Sequence, residues 1–287
     1  MKEVIGFIGV GVMGSSMVGH LLARGYSVVV YTRTKEKAQE VLEKGAEWAD
    51  SPKEVAQKAT IILTIVGYPS DVEEVYFGEN GLFQGLEEGS LVIDLTTSTP
   101  SLAEKIYVEA KSHGIGALDA PVSGGDIGAK KGTLTTMIGG DDVDVKRALP
   151  VLDSFSATIV HQGKAGAGQH TKMANQIMIA GTMTGMTEML VYAKKAGLDV
   201  QKVFETVSGG SAANWSLANY APRIFAENYS PGFFAKHFLK DLTIALEEAN
   251  RMEVELPATK QAQLLYKQLV EQGYGDDGTQ ALIKLWW

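Results

Sequence analysis

Lys172 is the residue of this chain best suited by its surroundings to acid–base chemistry. In Gly166-Ala167-Gly168-Gln169-His170-Thr171-Lys172-Met173-Ala174-Asn175-Gln176 it precedes Asn175 by three residues and Gln176 by four, so in a helix all three share one face. The stretch that follows, as far as Tyr192, is rich in Met, Ile, Leu and Ala. An ammonium between two amides in so apolar a helix loses hydration. Desolvation lowers its pKa toward neutrality, which is what a proton donor and acceptor needs. Taken alone, a surface lysine whose stem lies along apolar groups is the commoner explanation. A second segment, Asp119-Ala120-Pro121-Val122-Ser123-Gly124-Gly125, follows an apolar run and precedes a short helical pattern. The Ser123 hydroxyl and the N–H groups of Gly124 and Gly125 can form a nest for a carboxylate. A plain proline–glycine turn is the alternative.

The third constellation opens the chain. Gly9-Val10-Gly11-Val12-Met13-Gly14 comes directly after the apolar run Val4-Ile5-Gly6-Phe7-Ile8. A helical pattern follows (Met17, Leu21 and Leu22, ending at Gly25), and a second strand over residues 27–31 completes a βαβ unit. In that context the first glycine permits a tight turn, the second admits a pyrophosphate, and the third lets helix and strand pack closely. The helix N-terminus offers its unpaired N–H groups to the phosphates. The chain is therefore expected to bind a dinucleotide, with Gly9, Gly11, Val12, Met13 and Gly14 against it.

The end of the second strand predicts which dinucleotide. A unit selective for NAD carries an acidic residue there to accept bonds from the ribose hydroxyls. This chain reads Tyr31-Thr32-Arg33-Thr34-Lys35, and its first carboxylate is Glu36. A guanidinium and hydroxyls suit a 2′-phosphate. One charge-assisted hydrogen bond contributes about 1.5–3 kcal/mol, which corresponds to roughly ten- to a hundredfold in affinity. The expectation is NADP(H) in preference to NAD(H), held at this end by Tyr31, Thr32, Arg33 and Thr34. Lys35 fits equally well into a solvated first helical turn.

These motifs need elements to position them. Apolar, β-branched runs recur at residues 61–66, 91–95, 117–119, 135–138 and 157–160, and helical patterns at 36–43, 52–57, 102–113 and 143–152 alternate with most of them. Such alternation predicts a mostly parallel, doubly wound sheet. From Gly168 onward the chain holds only helical patterns, near 169–196, 199–207, 236–251 and 257–272, with Pro257 at one start and Gly197 and Gly273 beyond two ends. The fold class expected is α/β: an N-terminal Rossmann sheet domain over 1–163, then an all-α domain over 164–287, joined by a long interdomain helix. Residues 173–192 contain Gly181-x-x-x-Gly185, but Asn175, Gln176 and Glu188 make a membrane span costly. A helix buried between protein surfaces, with the glycines allowing close approach, is the expectation instead.

Composition sets outer bounds. The chain has 287 residues, 45% hydrophobic and 21% charged, with a net charge of −8. That balance is ordinary for a globular protein of two domains, and the negative charge argues against nucleic acid, which requires a basic face. Cysteine is absent, which excludes disulfides, thiol catalysis and thiolate-bound metals, and fits a reducing compartment. The apolar start is broken by glycines and followed by no cleavage site, so it does not read as a signal peptide. The five histidines show no metal-ligand spacing, so no metal is expected.

Together the glycine turn, the Asp119–Gly125 segment, the Gly168–Gln176 segment and the pair Lys240-Asp241 resemble the β-hydroxyacid dehydrogenase family, over the whole chain. The resemblance implies a Rossmann domain, a helical domain, and a cleft between them for nicotinamide and a small carboxylate-bearing substrate. It implies that Lys172 is the general acid/base, oriented by Asn175, and that Ser123, Gly124 and Gly125 bind the carboxylate, with Asn175 and Gln176 helping to hold the substrate. Lys240 would lie beside the cofactor, as would Thr96 of Asp94-Leu95-Thr96-Thr97. Val66 and Gly67, in Val66-Gly67-Tyr68-Pro69, would wrap the adenosine side, where members typically read Leu-Pro. Trp215 falls near the substrate by the same analogy, while by sequence alone it reads equally as core. Trp286 and Trp287 fit either an interface anchor or a cap on the helical domain.

The function expected is hydride transfer between NADP(H) and a small β-hydroxy acid or semialdehyde, in a cytoplasmic homodimer or homotetramer with no nucleic-acid or membrane partner. Imine reductases share the architecture but usually lack the lysine, and 6-phosphogluconate dehydrogenase is longer in its helical part. A catalytically silent NADP-binding scaffold or sensor of the same fold is the alternative of a different class.

Overall fold

The computed structural model describes residues 3–287, and the chain divides into two compact units, Met1–Lys172 and Met173–Trp287. Unit 1 begins β1 (Ile5–Ile8), α1 (Gly14–Ala23), β2 (Val28–Tyr31), α2 (Gln39–Glu43), β3 (Glu47–Trp48), α3 (Pro52–Lys58), β4 (Ile61–Thr64), α4 (Pro69–Phe77), β5 (Leu91–Asp94), α5 (Pro100–Ser112) and β6 (Gly116–Asp119). It continues with β7 (Val122–Ser123), α6 (Gly125–Lys131), β8 (Leu134–Gly139), α7 (Asp142–Leu152) and β9 (Ser156–Gly163). The strands form one sheet in the order β3-β2-β1-β4-β5-β6-β8-β7, with β9 beside β8. From β3 to β6 every neighbour is parallel; β8 runs antiparallel to β6 and β7. This is the doubly wound sheet the alternation predicted.

Successive strand residues point to opposite faces, and here both faces are covered. Phe7, Val30, Leu63 and Ile93 join Met17, Leu21 and Phe155 on one side. Ile8, Val29, Ile62 and Val92 join Tyr76 and Ile106 on the other. That is why β1, β2, β4 and β5 read as nearly unbroken apolar runs rather than alternating ones. The outer strand β9 differs: most of its residues are exposed, and it pairs with β8 through two register irregularities, between Leu134/Thr135 and Ile138/Gly139.

The long helix α8 (Ala167–Lys195) starts in unit 1 and runs on into unit 2, where α9 (Val200–Ser208), α10 (Trp215–Phe225), α11 (Ala235–Arg251) and α12 (Pro257–Leu269) follow. Phe238, Leu242, Tyr266 and Leu282 make one helical core, and Met183, Met186, Leu190, Leu217, Tyr220 and Ile224 another. Within this single chain α8 is covered along one side only. Ala174, Met178, Gly181, Gly185, Glu188 and Tyr192 form an exposed stripe, and an added Cβ at either glycine would meet nothing within 4 Å. The opposite stripe, with Met183, Met186 and Leu190, supplies the packing. No helix among the described residues is long and apolar enough to cross a membrane.

Candidate active site

The glycine turn is shaped by two different demands. Gly9 has φ +100°, and a Cβ there would run into the Ile65 carbonyl; a Cβ at Gly14 would run into the Gly9 carbonyl and Phe7. Those two glycines are required by the protein's own packing. Gly11 is exposed, and a Cβ on it would meet no protein atom within 4 Å. Nothing in the protein's own packing forbids a side chain there, and a pyrophosphate against the start of α1 is what such a turn admits. Val12 is 47% exposed beside it and Met13 is half-buried. The residues present fit a dinucleotide.

Two loops flank this turn, because β2 and β4 lie on either side of β1. After β2, Tyr31 and Thr32 are half-buried, with the Tyr31 ring 6.0 Å from that of Trp48, while Arg33 and Thr34 are exposed. The Arg33 Nη1 sits 2.9 Å from Asp71 Oδ1. After β4, Val66 and Gly67 are half-buried, and the Val66 N–H donates to Thr96 Oγ1 at 3.0 Å. The Thr96 N–H in turn donates to Asp94 Oδ1 at 3.0 Å. Thr96 thus fixes the loop that carries Val66 and Gly67.

The start of α8 is fastened to the sheet by a carboxylate. Asp119, at the end of β6, accepts from the Gly166 N–H on Oδ1 and the Gln169 N–H on Oδ2, both at 2.8 Å. Burial pushes its carboxyl above the ordinary carboxylate pKa, against the opposing pull of those backbone donors. Gln169, fully buried, donates from Nε2 to the Thr96 carbonyl at 2.7 Å and accepts from the Ser98 N–H at 3.0 Å. Gly168 must lack a side chain here, since a Cβ would press on the carbonyls of Met137 and Asp119. One turn further on comes Lys172, only 6% exposed, with Nζ donating to the Val122 carbonyl at 2.9 Å. A lysine so enclosed is not a snorkelling surface residue. Val122 precedes Ser123, and Gly124 and Gly125 carry φ values of +129° and +61° as the chain turns into α6. Lys172 and the serine–glycine turn are therefore neighbours.

In unit 2 the predicted residues form a chain of bonds. Asn175 Nδ2 donates to Gln176 Oε1 at 2.7 Å, and Gln176 Nε2 donates to Asp241 Oδ2 at 2.6 Å. Lys240 Nζ lies 3.0 Å from Asp241 Oδ1, with both side chains largely buried. Both ends of the Gln176 amide are thus engaged within the protein. Trp215 opens α10, is 51% exposed, and meets the Tyr220 ring edge-on at 5.5 Å. Sequence reasoning did not single out Asp119 or Gln169 as positioning groups, nor the meeting of Asp71 with Arg33. The Asp119 position beside its motif was a usable signal; the other two depend on tertiary contacts. Among the described residues no group of three His, Asp or Glu is arranged to hold a metal.

A family model described as the NAD binding domain of 6-phosphogluconate dehydrogenase matches residues 4–163, and one described as "NAD-binding of NADP-dependent 3-hydroxyisobutyrate dehydrogenase" matches residues 166–286. An uncharacterized oxidoreductase of Bacillus subtilis, YkwC, is 52% identical across 100% of this chain and 99% of its own length. A probable 3-hydroxyisobutyrate dehydrogenase-like 1, mitochondrial, of Arabidopsis thaliana is 49% identical over 97% of this chain and 84% of its own. Among solved structures, Mycobacterium tuberculosis 3-hydroxyisobutyrate dehydrogenase with L-serine superposes with a TM-score of 0.89 at 28% identity, over 99% of each chain. Fold, glycine turn and relatives together define a nicotinamide-dependent oxidoreductase. The chain belongs to the β-hydroxyacid dehydrogenase family, in its 3-hydroxyisobutyrate dehydrogenase-like branch.

Proposed function

We propose that this chain interconverts a small 3-hydroxy acid and the matching semialdehyde or ketone, using NADP(H) in preference to NAD(H), with Lys172 as general acid/base. One observation carries the proposal: a buried ammonium held 2.9 Å from the Val122 carbonyl, one residue from the Ser123 hydroxyl. When bound, the nicotinamide supplies or accepts the hydride. Ser123 and the Gly124 and Gly125 N–H groups hold the substrate carboxylate. In the reducing direction the Lys172 ammonium gives its proton to the carbonyl oxygen as that oxygen becomes a hydroxyl. In the oxidising direction the neutral amine takes the hydroxyl proton back. The Val122 carbonyl keeps Nζ aimed at that place in either direction, so little reorganisation precedes the transfer.

The roles of Asn175, Gln176, Trp215 and Lys240 rest on the family resemblance, as does a homodimeric or homotetrameric assembly. The Mycobacterium enzyme's L-serine is itself a 3-hydroxy acid, which supports the substrate class. The preference for NADP(H) rests on Arg33 and on the absence of an acidic residue at the end of β2.

Lys172→Met tests the assignment. Turnover should fall at least about a hundredfold, the lower end of general acid–base contributions, while the NADPH dissociation constant, read from its fluorescence, stays nearly unchanged. Assays with C3–C4 semialdehydes and glyoxylate in one direction, and 3-hydroxyisobutyrate and L-serine in the other, identify the substrate. A Met variant that keeps more than about a tenth of the rate removes Lys172 from the acid/base role. NADPH binding with no turnover on any of these substrates favours the silent scaffold.

A further inference from the structure

Arg33 is accounted for as the anchor of a 2′-phosphate, but the carboxylate it meets is not. Its Nη1 lies 2.9 Å from Asp71 Oδ1, a residue 38 positions further along the chain. The two partners are unequal. Asp71 is 17% exposed by side chain, and its other oxygen accepts the Tyr68 N–H at 3.1 Å in the first turn of α4. A negative charge is favoured at that end of a helix, so Asp71 is fixed twice over. Arg33 is 80% exposed and reaches Asp71 from a loop. The carboxylate is the stationary group and the guanidinium the movable one. Strand order explains the meeting. The loops after β2 and β4 flank the end of β1, where the glycine turn begins.

We infer that Asp71 is a specificity-determining residue that tempers cofactor choice, holding Arg33 when no 2′-phosphate is present and opposing the phosphate that takes its place. This rests on the reading that Arg33 selects NADP(H). A phosphate carries nearly two negative charges and must share or take the guanidinium beside a fixed carboxylate. A ribose diol is uncharged and meets no such opposition. Asp71 therefore narrows the preference that Arg33 creates and leaves NAD(H) a usable second cofactor.

Asp71→Asn separates charge from shape, since its amide oxygen still accepts the Tyr68 N–H. NADPH should bind about two- to fivefold more tightly to this variant and NADH should stay close to the parent, the range an exposed ion pair supports. The gain should shrink as salt is raised, because a charge effect at this exposure is screened. A merely structural change would not show that dependence. Arg33→Ala, measured alongside, should weaken NADPH at least about tenfold, and Asp71→Asn added to it should bring a much smaller gain. If Asp71→Asn weakens NADPH or leaves it unchanged while Arg33→Ala behaves as expected, the inference falls and the NADP reading stands. A rise in preference caused only by lost NADH affinity also overturns it, since Asp71 would then be a ribose ligand. An Arg33→Ala variant with unaltered NADPH affinity overturns the NADP reading and this inference with it.

Discussion

Asp119 fastens the helix that carries the proposed acid/base. It ends β6, receives the first N–H groups of α8, and so sets where Lys172 lies one turn later. Burial raises its carboxyl above 3.8, so the native group keeps its proton to higher pH than the unfolded one. Its contribution to stability is therefore full below the ordinary carboxylate pKa and declines as pH rises through the window just above it. An amide at this position could not titrate, and it would leave either the Gly166 or the Gln169 N–H without an acceptor, at a cost of about 1–3 kcal/mol. Melting curves of Asp119→Asn should show a loss of roughly 2–6 °C near neutral pH. The loss should grow toward about pH 4, where the parent regains what the variant cannot; a deficit that shrinks with acid contradicts this account. Turnover should fall as well, because Lys172 loses its seat.

At the scale of elements, the turn between β1 and α1 separates folding from binding. Gly14→Ala drives a methyl into the Gly9 carbonyl and Phe7 and should cost about 1–3 kcal/mol or more. Gly11→Ala meets no protein atom, so its melting temperature should stay within about a degree while NADPH binding weakens at least about tenfold. Equal effects of the two substitutions on stability would disprove the distinction. This turn, the parallel sheet and the long helix were legible because local pattern and tertiary role coincide there. Two helices were not anticipated, and each contains a proline. In α4, Pro69 sits in the first turn, a position helices accept, and Val72, Val75 and Tyr76 keep helical spacing and are buried. In α10, Pro222 suggests an end, yet Leu217, Tyr220, Ala221 and Ile224 form one buried face around it. The two-residue β3 is too short to carry a period. Within the candidate site, Lys172, Ser123 and the glycines announced themselves by type and spacing. The contact of Arg33 with Asp71 and the Gln169 bridge could not be read, because each depends on strand order bringing distant loops together.

For the whole molecule, cofactor binding should be visible as stability. A ligand at about a hundred times its dissociation constant adds about 2.7 kcal/mol to the state that binds it. Saturating NADPH should therefore raise the melting temperature by several degrees, and NADH at equal concentration by less. Equal shifts would argue against discrimination between the two. The outer strand β9 carries a different consequence, one for handling rather than chemistry. Among the described residues no strand covers its far side, and Val160 is 44% exposed on it. An uncovered strand of this length invites a stray chain to zip alongside. The two slips in its pairing with β8 kink it out of the flat geometry such zipping requires. Bulges of this kind work against such edge-to-edge pairing, so the irregular register makes β9 a poorer template for clumping in concentrated solution than a flat strand of equal length.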